Sequence, residues 1–524
     1  MRPFLAALLL AAAPLPALAA PVKVEEASIA DLQTMMTSGK ASSVAITRAY
    51  LARIAAMDRR GPALRAVIAI NPDALAEAKV LDAERRAGHL RGPLHGVPVL
   101  IKDNIETLDP IATTAGSLAL KDNVTRRDAP VVARLRAAGA VILGKTNLSE
   151  WANIRSTHSM SGWSAIGGLV RNPYALDRTA CGSSSGSGAA VAASFAGAAV
   201  GTETDGSVVC PSSLNGLVGL KPSIGLVSRT RVVPISHSQD TPGPMARSVR
   251  DVAAMLSAMV AADPEDPATA GTQAHDYVTS LSPGALAGVR VAVLTPEGMS
   301  LDLSAAFGQA LAVLKEAGAV LVEVKATDRK GLGAAEQVVL HTELKADLNA
   351  YLATTPPAVR ARTLTDLIAF DSGHATAEMP FFAQETFEAA DTTKGLDDPA
   401  YKAARATSLR LAGAEGIDAM LKAANATVLV EPSYGPAWYS DTVYGDQYGG
   451  PSSSELPAVA GYPNLTVPMG LVRGLPVGLS FIATKFGEAT VLGAGYAYEQ
   501  RSHARVPPRY LPTANALPGL EAAR

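Results

Sequence analysis

Three short stretches hold the residues whose types and spacing could do chemistry. GVPVLIKDN (96–104) places Lys102 directly after an apolar run. CGSSSGSGAA (181–190) carries Ser183, Ser184, Ser185 and Ser187, and GTETDGSVVCPSS (201–213) carries Ser207 in a second Gly/Ser turn. A serine hydroxyl is a weak nucleophile until a base takes its proton. The spacing points to no His/Asp pair, though spacing does not exclude one, and Lys102 is an alternative base. Burial at a sheet edge favours the neutral amine, and a neutral lysine can deprotonate serine. In Thr204-Asp205-Gly206-Ser207, successive backbone N–H groups can point into one concavity, where a developing oxyanion would be held. The ordinary readings stand beside these. A lysine at a strand end is most often a solvated charge, and a Ser/Gly run is most often a loop or tether.

The elements that would position these residues follow from hydrophobic pattern. Val97–Ile101 reads as a buried strand bounded by Gly96 and by Lys102-Asp103-Asn104. The first Ser/Gly cluster runs into VAASFAGAAV (191–200), which predicts a helix starting near Ser187 and passing Ala189–Phe195. Packed small residues imply backbone approaching backbone, or backbone approaching a ligand, rather than a free tether. Helical periodicity covers Ile29–Ala56, with Ser42 and Ser43 near a helix start, and also Pro72–Ala87 and Val131–Ala138, with Gly139 as a C-terminal cap. Ala140–Gly144 is a strand. In the second half Val291–Leu294, Val320–Val324, Thr427–Val430 and Leu475–Ile482 read as strands. Leu303–Ala317 and Glu488–Arg501 read as helices. This alternation predicts an α/β architecture, a large mixed β-sheet covered by helices on both faces. Asp263–Gly284 reads as a surface linker.

The 524 residues are 48% hydrophobic and 18% charged, with a net charge of -2. Lys and Arg are scattered, so no basic stripe marks a nucleic-acid surface. MRPFLAALLLAAAPLPALAA has the pattern of a signal peptide, residues 1–19, with Ala17-Leu18-Ala19 at the cleavage site. The expectation is export, periplasmic or secreted, without stable membrane insertion, leaving residues 20–524 as one α/β domain with insertions in its middle section. In an exported protein Cys181 and Cys210 could be bridged, but a chain of this size does not need the staple, so the expectation is two buried free thiols. The eight histidines are dispersed and no metal-binding motif is present.

The chain resembles the amidase signature family. The match is carried by residues 182–228 (GSSSGSGAAVAASFAGAAVGTETDGSVVCPSSLNGLVGLKPSIGLVS), with GPLHGVPVLIKDNI (92–105), GAVILGKTNLSEWA (139–152), RNPYALDRT (171–179), DTPGPMARSVRD (240–251), GYPNLTVPMG and GLPVGLSFIA (461–483). The resemblance implies a Ser-cisSer-Lys triad: Lys102 as base, Ser183 as relay behind a cis peptide bond, and Ser207 as nucleophile. It implies an oxyanion hole from the backbone N–H groups of Thr204, Asp205, Gly206 and Ser207. It also implies an acyl-enzyme, release of ammonia, and neither metal nor cofactor. Ser184 would support the loop, and Ser185 and Ser187 its shape.

Two positions depart from the family's pattern. Asp205 stands where many members have Gly, and Val209 where many have Arg. The second change speaks against a small acidic substrate. For Glu203 and Asp205, turn geometry is favoured over substrate contact. SMSGWSAIGGLVRNPY (159–174) looks most like the peptide amidase branch, which removes ammonia from C-terminal peptide amides. Trp151, Trp163 and Tyr174 could line a substrate channel but are assigned to core packing. The alternatives are a fatty-acid-amide or aryl-acylamide hydrolase with the same triad, an amidotransferase component that supplies ammonia, and a non-catalytic binding protein on the same scaffold. A signal peptide speaks against the amidotransferase. A penicillin-binding or β-lactamase enzyme is disfavoured because the chain contains no S-x-x-K. The oligomeric state is not legible.

Overall fold

The computed structural model describes residues 22–516. The expected signal peptide, residues 1–19, lies outside the described residues.

A single sheet of eleven strands runs through the molecule. The strands are β1 (Val67–Ile70), β2 (Pro98–Lys102), β3 (Val141–Thr146), β4 (Ala198–Glu203), β5 (Val218–Lys221), β6 (Thr241–Ala246), β7 (Arg290–Leu294), β8 (Val320–Val324), β9 (Val428–Pro432), β10 (Asn464–Val472) and β11 (Leu475–Ile482). Their spatial order is β1-β3-β2-β4-β6-β5-β10-β11-β9-β7-β8. β2 is parallel to both β3 and β4, and β7 to both β8 and β9, while the other pairings are antiparallel. The sheet is therefore mixed, as expected. β2, β3, β4 and β9 are buried at every position, which explains why the stretches at 97–101, 140–144 and 427–430 read as short apolar runs rather than alternating ones, while β4 was not expected as a strand.

The pairing of β2 with β4 positions the chemistry. Ile101 lies opposite Val200, so the two strands end at the same edge of the sheet. Lys102 closes β2, and β4 runs directly into the turn at 204–207. Open α/β sheets bind ligands outside the carboxyl ends of their strands. The helix Ser185–Ala192 packs behind this edge and is buried along its whole length. Its small residues are required by close approach. A Cβ on Gly186 would overlap the Ala66 carbonyl and the Asn147 backbone, and one on Gly188 would crowd Pro211.

Most predicted elements appear within a few residues of their expected ends. The stretch at 29–56 divides into two helices, Ile29–Thr37 and Ser43–Met57, each opened by a serine whose hydroxyl accepts from a backbone N–H in the first turn. Between β8 and β9 come the helices Leu332–Leu352, Leu364–Gly373, Glu385–Asp391 and Pro399–Ala412. Leu344, Leu348, Leu364, Leu367 and Phe387 bury a second apolar cluster together with Trp151. The 263–284 stretch is pinned more firmly than a linker. Ser228 and Thr230 donate to Asp263, and the Arg229 guanidinium pairs with Asp266. Among the described residues no helix is long and apolar enough to cross a membrane.

Candidate active site

Lys102 is fully buried. Its Nζ lies 2.8 Å from Ser183 Oγ, 2.8 Å from Thr202 Oγ1 and 3.2 Å from the Thr202 carbonyl oxygen. Burial, opposed by the negative charges of Asp240 and Glu203, lowers its pKa to about 7. The amine is thus poised to be neutral near neutral pH, as a base must be. Lys145 and Lys221 are equally buried but face other groups. Lys145 donates to the Ile105 carbonyl and Thr113, and Lys221 to the Pro222 carbonyl. Of these three lysines only Lys102 meets a serine hydroxyl.

The two Ser/Gly clusters lie side by side. The Gly182–Ser183 peptide is cis. A Cβ on Gly182 would overlap Ser149 Oγ, so no larger residue fits there. The Ser149 backbone N–H donates to the Ser183 carbonyl at 3.0 Å, and the Ser184 N–H donates to the Ser207 carbonyl at 3.1 Å. Ser184 Oγ also donates to the Thr202 carbonyl at 3.1 Å and accepts from the Thr202 N–H at 3.2 Å. Ser184 therefore ties β4 to the start of the helix. Ser185 and Ser187 do more than set shape: Ser185 Oγ donates to the Cys181 carbonyl, and Ser187 Oγ lies 2.7 Å from Thr146 Oγ1.

Ser207 is 8% exposed, and its hydroxyl has no hydrogen-bond partner among the described residues. The structure thus brings Lys102 and Ser183 into contact. It places Ser207 beside them through the backbone link to Ser184, without a direct hydroxyl–hydroxyl bond. The turn is tight, with Gly206 at φ +80°, where a side chain would overlap Tyr434 OH. The backbone N–H groups of Thr204, Asp205 and Ser207 have no protein acceptor among the described residues, and that of Gly206 leans towards the Glu203 carboxylate.

Glu203 and Asp205 divide the expectation made for them. Glu203 is structural: its carboxylate accepts from Val208 and Val209 N–H at 2.7 and 2.8 Å, holding the start of the helix Val209–Leu214. Asp205 instead lines a cavity of about 570 Å³, together with Cys181, Gly182, Gly206, Tyr434, Trp438, Asp446, Tyr448 and Glu455. Desolvation by the cavity walls, with the neighbouring Glu203 and Glu455 charges, raises the Asp205 pKa, although the side chain itself is exposed at the cavity.

The aromatic wall of this cavity, Tyr434, Trp438 and Tyr448, is not among the residues that sequence pattern singles out. Trp438 and Tyr448 meet edge-on at 5.4 Å, and Trp438 Nε1 donates to Asp446 at 3.0 Å. The signal for it lies in YGPAWYSDTVYGDQYGG (434–450), a Gly- and Tyr-rich loop. Trp151, Trp163 and Tyr174 are outside the cavity lining. Trp151 packs on Phe387, Trp163 on Phe381 and Phe382, and Tyr174 OH donates to the Val506 carbonyl.

The cysteine expectation is corrected. Cys181 and Cys210 form a disulfide, with Cα atoms 6.0 Å apart. Whether a large core needs a staple does not decide the matter. The fold sets the two clusters face to face, which brings these thiols together whatever the size of the core.

A separate cavity of about 520 Å³ is lined by Arg127, Arg229, Arg231 and His237. Its arginines are paired with Glu106, Asp266 and Glu265, which leaves little free charge for a ligand. His237, Glu343 and Asp347 offer ligand atoms within 4.8 Å of one another. Glu343 is already hydrogen-bonded to Ser236, Ser238 and Tyr401, and the His237 ring to Asp347.

The amidase family model matches residues 45–492. The chain belongs to the amidase signature family. It is 36% identical over 501 residues to a probable amidase of Arabidopsis thaliana, covering 93% of this chain and 92% of that protein. It is 37% identical over 507 residues to a putative amidase of Arthroderma benhamiae, covering 90% of this chain and 81% of that protein. Among solved structures, the native peptide amidase from Stenotrophomonas maltophilia superposes with a TM-score of 0.87 at 52% identity, covering 93% of this chain and 99% of that one. The protein is an amide-hydrolysing enzyme with the α/β fold of this family.

Proposed function

We propose that this amidase is exported and removes ammonia from the C-terminal amides of peptides through a Lys102–Ser183–Ser207 triad. The observation that carries the triad is the 2.8 Å contact between a buried, pKa-lowered Lys102 and Ser183. In this reading neutral Lys102 takes the Ser183 proton as Ser183 takes that of Ser207. Ser207 Oγ attacks the carboxamide carbon. The tetrahedral oxyanion settles against the backbone N–H groups of Thr204, Asp205 and Ser207, that of Gly206 being turned to Glu203, and each essential donor contributes about 3–4 kcal/mol in comparable sites. The proton returns through Ser183 to the departing nitrogen, ammonia leaves, and water releases the acid from the acyl-enzyme. The Ser207 hydroxyl must turn onto Ser183 for the relay to close, a tightening common when substrate enters.

Peptide amides as substrates are supported by the likeness to a peptide amidase at 52% identity and by the cavity beside Ser207. Its serine, aspartate and asparagine lining offers partners to peptide groups and suits a long acyl chain poorly. Export is supported by the N-terminal pattern, and a disulfide beside the site fits an oxidising compartment. The test measures ammonia from amidated, unamidated and long-chain acyl amides. Peptide amides should be the fastest, and Ser207→Ala should abolish turnover with the fold intact. Undiminished ammonia release by Ser207→Ala refutes the nucleophile, and faster turnover of long-chain acyl amides refutes the substrate class. For export, N-terminal sequencing of the protein from its own cells should begin near Ala20, and a cytosolic chain retaining residues 1–19 refutes it.

A further inference from the structure

A neutral lysine has two hydrogens and one lone pair, and Lys102 has three neighbours for them. The Thr202 carbonyl can only accept, so one hydrogen is committed to it. The other hydrogen and the lone pair are shared between two hydroxyls at the same distance, Ser183 Oγ and Thr202 Oγ1, both at 2.8 Å. Only one assignment is productive. If Thr202 donates to Lys102, the lone pair is consumed there and the base cannot receive the Ser183 proton. If Thr202 accepts from Lys102, the lone pair faces Ser183.

The group that can decide this is Asn104. It is 3% exposed, and as placed its Nδ2 donates to Thr202 Oγ1 at 2.9 Å. With the nitrogen towards Thr202, Oδ1 is buried without a hydrogen-bond partner. A half-turn of the amide exchanges its two ends in place. The oxygen then receives the Thr202 hydroxyl hydrogen, Thr202 can only accept from Lys102, and the Lys102 lone pair is left for the Ser183 hydroxyl, while the Asn104 NH2 moves to the buried place the oxygen held.

We propose that Asn104 is a positioning residue: its amide oxygen takes the Thr202 hydroxyl hydrogen and thereby turns the Lys102 lone pair onto Ser183. The inference rests on the triad reading and adds a residue that touches neither substrate nor reacting atoms. No bond is made or broken at Asn104. It selects between two hydrogen-bond patterns of the same four groups.

The test is a set of variants assayed for kcat, KM and pH dependence on one peptide amide. Asn104→Leu leaves Thr202 free to donate to Lys102, and kcat should fall at least about tenfold at every pH with KM little changed. Asn104→Asp presents oxygens that accept, so kcat on the alkaline plateau should recover, while its added charge moves the acidic limb to higher pH. In a Thr202→Val background no hydroxyl competes for the lone pair, so adding Asn104→Leu should cost no further kcat. A role in folding alone would lower stability in both backgrounds without this dependence. Equal loss from Asn104→Leu in both backgrounds, or an Asn104→Asp variant as slow as Asn104→Leu, overturns the inference. Lys102→Met is the control. If it keeps activity, the triad reading fails. If it is dead while Asn104→Leu keeps full kcat, only this inference fails.

Discussion

Lys102 Nζ lies 2.8 Å from Ser183 Oγ across 81 positions of sequence, and both side chains are sealed from solvent. The contact exists because parallel β2 and β4 end together and the first Ser/Gly cluster folds back over that edge. A fully hydrated lysine would hold its proton at neutral pH and could not act as a base. Here burial supplies what the side chain lacks, and the sheet supplies the geometry.

The first prediction is a pH profile. With Lys102 at about 7, kcat/KM should rise with pH and level off above that value, falling about tenfold per unit on the acidic side. The same shift has a stability consequence of opposite character. The folded pKa is below the unfolded value, so the folded state binds fewer protons between about 7 and the ordinary lysine range. As pH falls through that window the buried amine destabilises the fold, and below it the penalty is complete. Lys102→Met should therefore be inactive yet melt at a higher temperature at pH 7, which calorimetry would show. An inactive variant that melts lower would contradict the burial argument.

A second prediction concerns Asp240, whose carboxylate accepts from Thr204 Oγ1 at 2.6 Å and from the Ile235 and Ser236 N–H groups. Its charge is the main influence holding the Lys102 pKa up against desolvation. Asp240→Asn should move the acidic limb of kcat/KM to lower pH, since the ammonium loses a stabilising neighbour. An unmoved limb would mean that Asp240 acts only on the turn.

How far the site was legible follows from these same residues. Lys102 and the two Ser/Gly clusters stood out because chemistry-bearing residues were embedded in runs of small or apolar ones, where a solvated loop would have carried charge; it was the resemblance to the amidase signature family that singled out Ser183 and Ser207 within the clusters. The sheet class was legible because strands such as β2 and β9 are buried along their length and read as short apolar runs, whereas β4 continues the Ala-rich run after the helix and was not legible as a strand. Three further things were not legible. The Cys181–Cys210 pairing depends on two loops lying face to face, which no spacing within either loop reports. The aromatic wall of Tyr434, Trp438 and Tyr448 comes from a segment more than 200 positions beyond the serines and joins them only through the tertiary fold. The hydrogen-bond dilemma at Thr202 appears only when three distances around one nitrogen are known.

The disulfide supplies a third prediction. It closes a loop spanning a sequence separation of 29 residues, and removing such a link costs about 3–4 kcal/mol in the chain-entropy account. Replacing both cysteines by serine should lower the melting temperature. Because Cys181 precedes the Gly182–Ser183 peptide and Cys210 follows Ser207 by three positions, kcat should fall as well. Denaturation and activity assays of this double variant separate the two effects. Unchanged values for both would leave the bridge without a role.

A fourth prediction comes from charge in the cavity. Asp205, Asp446 and Glu455 line it, and among the described residues no lysine or arginine does. Above about pH 7, where Asp205 is ionised, peptide amides with a lysine near the amide should have lower KM than the same peptides with glutamate, and salt should narrow the gap. The absence of Arg at position 209 points the same way. Equal KM values at low ionic strength would show that these carboxyls are neutral or spent on internal hydrogen bonds.

The last prediction separates the turn from the side chains it carries. Gly206 holds φ +80°, and a Cβ there would overlap Tyr434 OH. Gly206→Ala must either distort the 204–207 backbone or displace Tyr434, and in both cases the N–H groups proposed for the oxyanion lose their alignment. Loss of one such donor costs about 10²–10³ in kcat. Pairing this variant with Tyr434→Phe distinguishes the routes. Removing the tyrosine hydroxyl relieves the overlap, so activity should partly return if crowding against Tyr434 is the cause. If it does not, the positive φ itself, which a β-carbon opposes in any surroundings, is what the turn requires of glycine.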